Sequence, residues 1–497
     1  MTDFDGGSGN RNLRRVCIDP LTRVEGHGKV TLLLDETRRV VEARLHIVEF
    51  RGFEKFIQER PIEEVPILVQ RLCGICPVSH LLAAAKALDQ IAGVERLPPA
   101  AEKQRRLLHY GQVMQSHALH LFYLAAPDLL FGFGSDVHRR NIMGMIERHR
   151  EIALKGIRIR KYGQSVIQTI TGKRIHGIGP IPGGMNKVLT PADRDRLSKE
   201  IDQVVQWCQE GVSLIRRIHL GNPEYQQRFA VFPSNYLSLT GADGGLELYH
   251  GTLRATDPVG RPILDHVDYR DYDHHLREEV KSWSFMKFPY LIAIGRKNGW
   301  YRVGPLARMN NCEFIGTPLA EESRKEFFRY AGDRPVHASL AYHWARMIEA
   351  LHCAEAIRIL LQDPMLLDDD ICADEGEHHQ EGIGVIEAPR GTLFHHYRID
   401  SQGLVEKANL IVSTTSNNQA MNEAIRSVAA DYLSGHEPTP ELLNRIEVAI
   451  RAYDPCLSCA THALGKMPLE LELYDVTGKQ IGRFARHHYG DSENIGR

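Results

Sequence analysis

Two cysteine pairs, 383 residues apart from first cysteine to first cysteine, constrain this 497-residue chain more than any other feature. One lies in Arg71-Leu-Cys73-Gly-Ile-Cys76-Pro-Val-Ser-His80, the other in Asp454-Pro-Cys456-Leu-Ser-Cys459-Ala-Thr-His462. In a Cys-x-x-Cys turn both sulfurs can face one centre, and a helix starting at the second cysteine favours the thiolate. Four thiolates suit a soft or borderline metal: zinc, an iron–sulfur cluster or a nickel–iron centre. Structural zinc usually staples a short local loop. A metal held by pairs near opposite ends of the sequence instead closes almost the whole chain around itself, as a buried functional centre does. Cys17, Cys208, Cys312, Cys353 and Cys372 are solitary and read as core or surface thiols. They supply no second cluster motif, so redox chemistry at the four sulfurs requires electrons relayed by another subunit.

With 43 % hydrophobic and 25 % charged residues, the chain has the material for two or three domains or one large intergrown one. A balance of 61 basic against 63 acidic residues gives no general attraction to nucleic acid or anionic membrane. No stretch reaches the roughly 18 uninterrupted apolar residues of a membrane span. The most apolar run, over 119–134, is broken by His120, Pro127 and Asp128. The N-terminus lacks the apolar core of a signal peptide, and nine cysteines do not read as a disulfide framework. The cytoplasm is the expected compartment.

Residues 1–13 read as a flexible leader. A hairpin is predicted over 29–35 and 40–50. Helices are predicted over 81–91, 101–124, 192–219, 336–362, 422–432 and 440–453, from apolar spacing and from prolines at their ends. The middle, about 225–310, reads as irregular. The expected class is mainly α with peripheral β (α+β): a helical core with small sheets, 1–462 forming one intergrown domain and 463–497 a tail.

The cysteine stretches occur together with Asp19-Pro-Leu-Thr-Arg-Val-Glu25-Gly-His27, Arg51-Gly-Phe-Glu54, Pro182-Gly-Gly184 and Ala388-Pro389-Arg390-Gly391. In this combination the chain resembles the large subunit of nickel–iron hydrogenases over essentially its whole length. Trp283-Ser-Phe-Met-Lys-Phe-Pro-Tyr290 and Ala452-Tyr-Asp454 are similar to the cytoplasmic, cofactor-coupled branch. The run Ala463-Leu-Gly-Lys-Met-Pro-Leu469 is most like the NAD-linked bidirectional enzymes.

The resemblance implies that Cys73, Cys76, Cys456 and Cys459 bind nickel. Cys76 and Cys459 would bridge to an iron carrying cyanide and carbon monoxide, with Cys73 and Cys456 terminal. A terminal sulfur such as Cys456 can accept the proton when dihydrogen splits heterolytically. Arg390, with Pro389 beside it, would sit over the open metal face and face one cyanide, and Thr414 would hydrogen-bond the other. Glu25 is the implied first proton acceptor beyond the thiolate. Glu54, His462 and the backbone carbonyl of Leu410 would hold a structural magnesium, and Asp454 would line the canopy above nickel. As bare residues, the same positions read as an ion-paired arginine, a polar glutamate after a turn, a strand-end hydroxyl and a solvated Glu54 beside Lys55. Many relatives carry an aspartate where this chain has Ser116, so the resemblance carries no carboxylate role over to this position.

The implied partners are flavin-bearing (FMN) diaphorase subunits, which couple the electrons to NAD, together with a small iron–sulfur subunit. The run Gly177-Ile-Gly179-Pro-Ile-Pro182-Gly-Gly184 lacks both the dinucleotide and the P-loop patterns and reads as a structural loop, so NAD belongs to a partner. Glu375-Gly-Glu-His-His379 reads as a solvated loop, and His395-His396 as structural. Alternation over 469–473, followed by a turn at 475–478, predicts a hairpin in the tail. The resemblance implies that a maturation endopeptidase removes this tail after His462. The alternatives are coupling to NADP or deazaflavin, or a zinc-stapled interaction protein. The related large subunits of quinone reductases lack the cysteine pairs.

Overall fold

The computed structural model describes residues 13–332 and 334–462, together with the strand backbone at 469–474, 480–486 and 492–494. The predicted leader, save Leu13, lies outside the described residues. Strands β1 (Arg14–Ile18), β2 (Gly28–Leu34) and β3 (Val40–Ile47) form an antiparallel sheet in that order. The pair β2–β3 is the predicted hairpin. β1 was not predicted, since only Ile18 of its five residues is buried.

The core is helical. Helix α1 (Pro77–Ile91) has Cys76 as its N-cap and Pro77 in its first turn, where the missing N–H would have had no partner. It is followed by α2 (Pro99–Leu119), α3 (Arg150–Thr171) and α4 (Pro191–Leu220). α2 packs on α3 so closely that a Cβ on Gly163 would lie 2.6 Å from the Gly111 carbonyl oxygen. α3 is absent from the helices predicted above. Its buried stripe of Ile159, Tyr162, Val166, Ile167 and Ile170 is interleaved with exposed cations such as Arg158 and Lys161. The helix predicted over 101–124 passes at His120 into a π-helical turn (His120–Ala125).

The middle is more regular than its composition indicates. β4 (Asn235–Thr240), β5 (Thr252–Thr256), β6 (Pro262–Val267) and β7 (Tyr301–Arg302) form one sheet in the order β7-β4-β5-β6. β4, β5 and β7 are short and mostly buried on both faces, so they lack the alternation that marks a strand. The short helix α5 (Pro305–Asn311) leads to α6 (Ala341–Gln362), buried along almost its whole length and packed against α2 and α4. Residues 336–340 stay outside α6: the Val336 N–H and C=O are taken by the Asn310 side chain. Then come the meander β8 (Glu381–Ala388), β9 (Gly391–Ile399) and β10 (Val405–Ile411), and helices α7 (Asn418–Val428) and α8 (Pro440–Ala452).

One packing contact aims the chain at the cysteines. A Cβ on Gly382 would lie 2.1 Å from the Ala87 carbonyl oxygen, and one on Gly384 would lie 1.9 Å from that of Ala83. Two residues of strand advance about 6.6 Å and four of helix about 6 Å. β8 therefore runs back along α1 nearly in step, delivering Ala388-Pro389-Arg390 to the helix end that begins at Cys76.

In the tail, β11 (Leu469–Tyr474) and β12 (Gln480–Arg486) pair antiparallel and β13 (Ser492–Asn494) adds a third strand. The predicted turn at 475–478 lies outside the described residues. No helix among the described residues is long and apolar enough to cross a membrane.

Burial pushes the imidazoles of His109, His117 and His219 down from 6.5 to about 4. Between those values the folded chain binds fewer protons at these rings than the unfolded chain does, so acidification favours unfolding. The melting temperature is expected to fall steadily from pH 6.5 to 4, with no contribution from these groups above 6.5. A melting temperature flat across that window is the contrary result.

Candidate metal centre

The sulfurs of Cys73, Cys76, Cys456 and Cys459 all lie within 4.8 Å of one another and all four residues are buried. Cys73 Sγ and Cys456 Sγ are 3.3 Å apart. The first pair is shaped by a short turn (Gln70–Leu72) that ends at Cys73, after which the N–H groups of Ile75 and Cys76 both donate to Cys73 Sγ at 3.2 Å. The second pair follows α8, where Asp454 takes a left-handed φ of 53° before Pro455 and turns the chain sharply inward. Glu25 pairs with Cys456 in an isolated parallel bridge, and the Leu457 N–H donates to the Glu25 carbonyl at 3.0 Å. Segments from both ends of the sequence thus meet at one point.

Hydrogen bonds from Cys456, Cys459 and Cys73 pull the Cys76 thiol well below its ordinary value. Burial holds the Cys456 and Cys459 thiols well above theirs. Four buried sulfurs cannot all ionise without a cation among them. The donor set therefore fits a thiolate-loving metal. Beside the sulfurs is a cavity with about 10 Å³ open to the centre of a water-sized guest, lined by Cys76, Ala388, Pro389, Arg390, Thr414 and Cys456 among others. A structural zinc fills its four positions with protein ligands and keeps no open face. Here one face stays open under a guanidinium.

Arg390 is 3 % exposed. Its Nε donates to the Asp454 carbonyl at 2.5 Å and a terminal nitrogen to Asp454 Oδ1 at 3.1 Å, while Nη1 is buried with no partner among the described residues. Burial alone would lower its pKa. Asp454 and the sulfurs of Cys456, Cys76 and Cys73 outweigh that and keep it charged. Burial likewise works to raise the Asp454 carboxyl, but Arg390, His120 and Arg346 hold it well below the usual range. His120 Nδ1 lies 3.0 Å from Asp454 Oδ1, placed there by the π-helical turn. Ser116 is buried, and its hydroxyl has no partner among the described residues.

Thr414 Oγ1 accepts the Cys456 N–H at 3.0 Å. Glu25 Oε2 accepts from Cys456 Sγ at 3.0 Å and from the Ser458 N–H at 3.2 Å, and Oε1 accepts the Ser458 hydroxyl.

In the second group named above, Glu54 meets Leu410. Glu54 is buried, and its Oε1 accepts the Leu410 N–H at 2.9 Å. Lys287 Nζ lies 3.1 Å from Glu54 Oε1 and 3.1 Å from Glu278 Oε2. Burial raises both carboxyls, Glu278 to about 7. His462 is buried, with Nε2 2.8 Å from the Cys459 carbonyl and Nδ1 without a partner among the described residues. Two carboxylates against one ammonium fit a further cation. Sequence reasoning missed Lys287, Glu278, His120 and Ser458. Ser458 sits inside the second cysteine stretch and could have been noticed there, whereas the other three carry no local signal.

Of the solitary cysteines, Cys208, Cys312 and Cys353 are buried, with burial pushing their thiols up, and Cys17 and Cys372 are exposed. The glycine run folds as a tight turn between the two-residue strands Pro180–Ile181 and Gly184–Met185.

Four thiols thus converge under a buried arginine, in a mainly helical fold with small sheets. Residues 51–130 and 255–462 match the family model described as nickel-dependent hydrogenase, and residues 15–50 match one described as HoxL-like. The chain belongs to the nickel-dependent hydrogenase large-subunit family. It is 47 % identical to the beta subunit of the NAD-reducing hydrogenase HoxS of Cupriavidus necator over 487 residues, 95 % of this chain and 100 % of that one. It is 44 % identical to a component of the F420-non-reducing hydrogenase vhu of Methanococcus voltae, over 84 % of this chain and 98 % of that one. Among solved structures, an NAD+-reducing [NiFe]-hydrogenase in the H2-reduced state superposes with a TM-score of 0.89 at 54 % identity, covering 91 % of this chain and 100 % of that one. The Ni-Fe-Se hydrogenase of D. vulgaris Hildenborough shares the fold, with a TM-score of 0.73 at 24 % identity over 91 % of this chain and 100 % of that one.

Proposed function

We propose that this chain is the catalytic subunit of a nickel–iron hydrogenase that interconverts dihydrogen with two protons and two electrons and exchanges the electrons with NAD through partner subunits. The observation that carries this is the convergence of four thiols beside a cavity that a charged guanidinium lines, with a carboxylate bonded to Cys456. NAD as acceptor rests on the relatives at 47 % and 54 % identity. NADP and deazaflavin are the alternatives, separated by which of the three the purified complex reduces under dihydrogen.

When bound, nickel with an iron carrying cyanide and carbon monoxide supplies the soft acid at which dihydrogen is cleaved. Cys73, Cys76, Cys456 and Cys459 would hold it. Arg390 keeps its positive charge against the cavity, and its unpartnered Nη1 is available to polarise a guest or meet a cyanide. Thr414 uses its oxygen for the Cys456 N–H, which leaves its own proton for the second cyanide. Pro389, Ala388, Leu393 and Val412 line the same cavity and limit water. Cys456 Sγ can hand a proton to Glu25 Oε2 across 3.0 Å, while Ser458 holds the carboxylate in place. Glu25 is half-buried and is the first step outward.

Glu54, His462 and Leu410 would hold magnesium, with Lys287 as a second cation on the same carboxylate. The partners are FMN-containing diaphorase subunits together with a small iron–sulfur subunit. Residues 1–462 form the working unit, and an endopeptidase removes 463–497 after His462, without which the chain is inactive. The compartment is the cytoplasm.

The test is an infrared spectrum of the purified complex where metal-bound cyanide and carbon monoxide absorb. Bands that shift under dihydrogen are expected from a chain shown by mass to end at His462, and none from one ending at Arg497. A chain ending at His462 without bands, or full activity in one retaining the tail, overturns the proposal.

A further inference from the structure

A line of buried rings leads away from Cys76. His80, His395 and Tyr397 are 1 %, 0 % and 0 % exposed. His80 lies one helical turn beyond Cys76 and lines the same cavity, within reach of the Cys76 thiol. Its Nδ1 lies 3.0 Å from His395 Nε2, and His395 Nδ1 lies 2.5 Å from the Tyr397 hydroxyl. His395, read from sequence as structural, is therefore one ring removed from the sulfur cluster.

The order of protons along this line follows from the last member. The Tyr397 hydroxyl has no other partner among the described residues. If it accepted from His395 Nδ1–H, its own O–H would be buried and unsatisfied, at a cost of about 1–3 kcal/mol. Donation removes that cost and leaves His395 Nδ1 as an acceptor. A neutral imidazole then carries its proton on Nε2, which donates to His80 Nδ1. His80 must in turn carry its proton on Nε2, the nitrogen left for sulfur.

We propose that Tyr397 is a positioning residue for the metal centre: through His395 it selects the tautomer in which His80 donates an N–H to the Cys76 sulfur. This rests on the nickel–iron reading above. Partners behind a metal ligand fix ligand orientation and tune its donor strength. A hydrogen bond to a thiolate withdraws charge from sulfur, so losing it makes the metals more electron-rich and weakens the bond of any carbon monoxide they hold.

The test uses the mature complex carrying Tyr397→Phe, with nickel and iron content measured first. Its carbon monoxide band is expected at lower wavenumber than in the unaltered enzyme. In the double variant His395→Gln with Tyr397→Phe, a glutamine amide reaching the position of Nε2 donates to His80 without help from Tyr397, so the band is expected back near its original place. A Tyr397→Phe enzyme that is fully metal-loaded with the original band overturns the proposal. If Tyr397→Phe fails to load metal, loading and the original band restored in the double variant support it. Loading in neither variant means that the two rings serve folding alone, and also overturns it. Absence of bands in the unaltered enzyme would instead sink the nickel–iron reading, so the two failures are distinguishable.

Discussion

Glu25→Gln is expected to lower dihydrogen turnover by about 10²- to 10⁴-fold, the range in which a positioned acid–base group contributes, with nickel and iron content unchanged. Glutamine is nearly isosteric. Its one oxygen can keep the Ser458 N–H now held at 3.2 Å, so the loop stays where it is. The same oxygen then faces Cys456 Sγ, which now lies 3.0 Å from Oε2, and the amide nitrogen takes the place of Oε1 beside the Ser458 hydroxyl. An amide oxygen accepts a hydrogen bond from the thiol but cannot take its proton away. The variant should bind metal, show the infrared bands, and fail in proton movement alone. Turnover of dihydrogen against an artificial acceptor measures this directly. Retention of more than a tenth of the activity would mean that protons leave by another group.

Arg308→Met is expected to cost about 3–5 kcal/mol of stability, the penalty for breaking a buried ion pair on one side. Arg308, Glu349 and Glu387 have no exposed side-chain surface. Arg308 bonds Glu349 twice at 2.6 Å, and Glu387 once at 2.6 Å. It also donates to the Ala388 carbonyl at 3.0 Å, tying the segment that carries Arg390. Without the guanidinium, Glu349 keeps only the hydrogen bond to His117, whose ring burial holds neutral.

The pH dependence separates lost charge from lost packing. Burial works to raise the Glu349 carboxyl, but Arg308 and His117 outweigh it and hold it near 2. In the native chain its contribution is therefore present above 4.5 and lost as pH falls toward 2. In the variant burial prevails, the carboxyl rises above 4.5, and it destabilises most at neutral pH. The difference in stability between the two chains should shrink from pH 7 to pH 4. A difference independent of pH would assign the effect to packing.

Local chemistry was legible in the amino-acid order alone. The Cys-x-x-Cys turns, Pro77 at a helix start, the Thr439 cap and Pro440 that open α8, and the β2–β3 hairpin are all written within a few residues. Such signals act through backbone dihedrals and neighbouring hydrogen bonds, which a short stretch determines by itself. Mixed surfaces hid others. α3 buries its apolar stripe between exposed cations, and β4 is buried at every residue, so neither shows its period cleanly.

What the sequence by itself determined, then, was the set of sulfur donors and the ends of the helices and strands that carry them. Only the tertiary structure decided which distant groups face those donors. Glu25 meets Cys456 across 431 residues, Arg390 meets Asp454 across 64, and Lys287 settles on Glu54 across 233. Each choice depends on how elements pack: β8 lies flat on α1 because Gly382 and Gly384 leave room for the helix carbonyls, and this brings Arg390 to the cysteines. No local pattern encodes such pairings. A buried charge is tolerable only beside its partner, and the partner's position is set by the whole core rather than by its own stretch of chain.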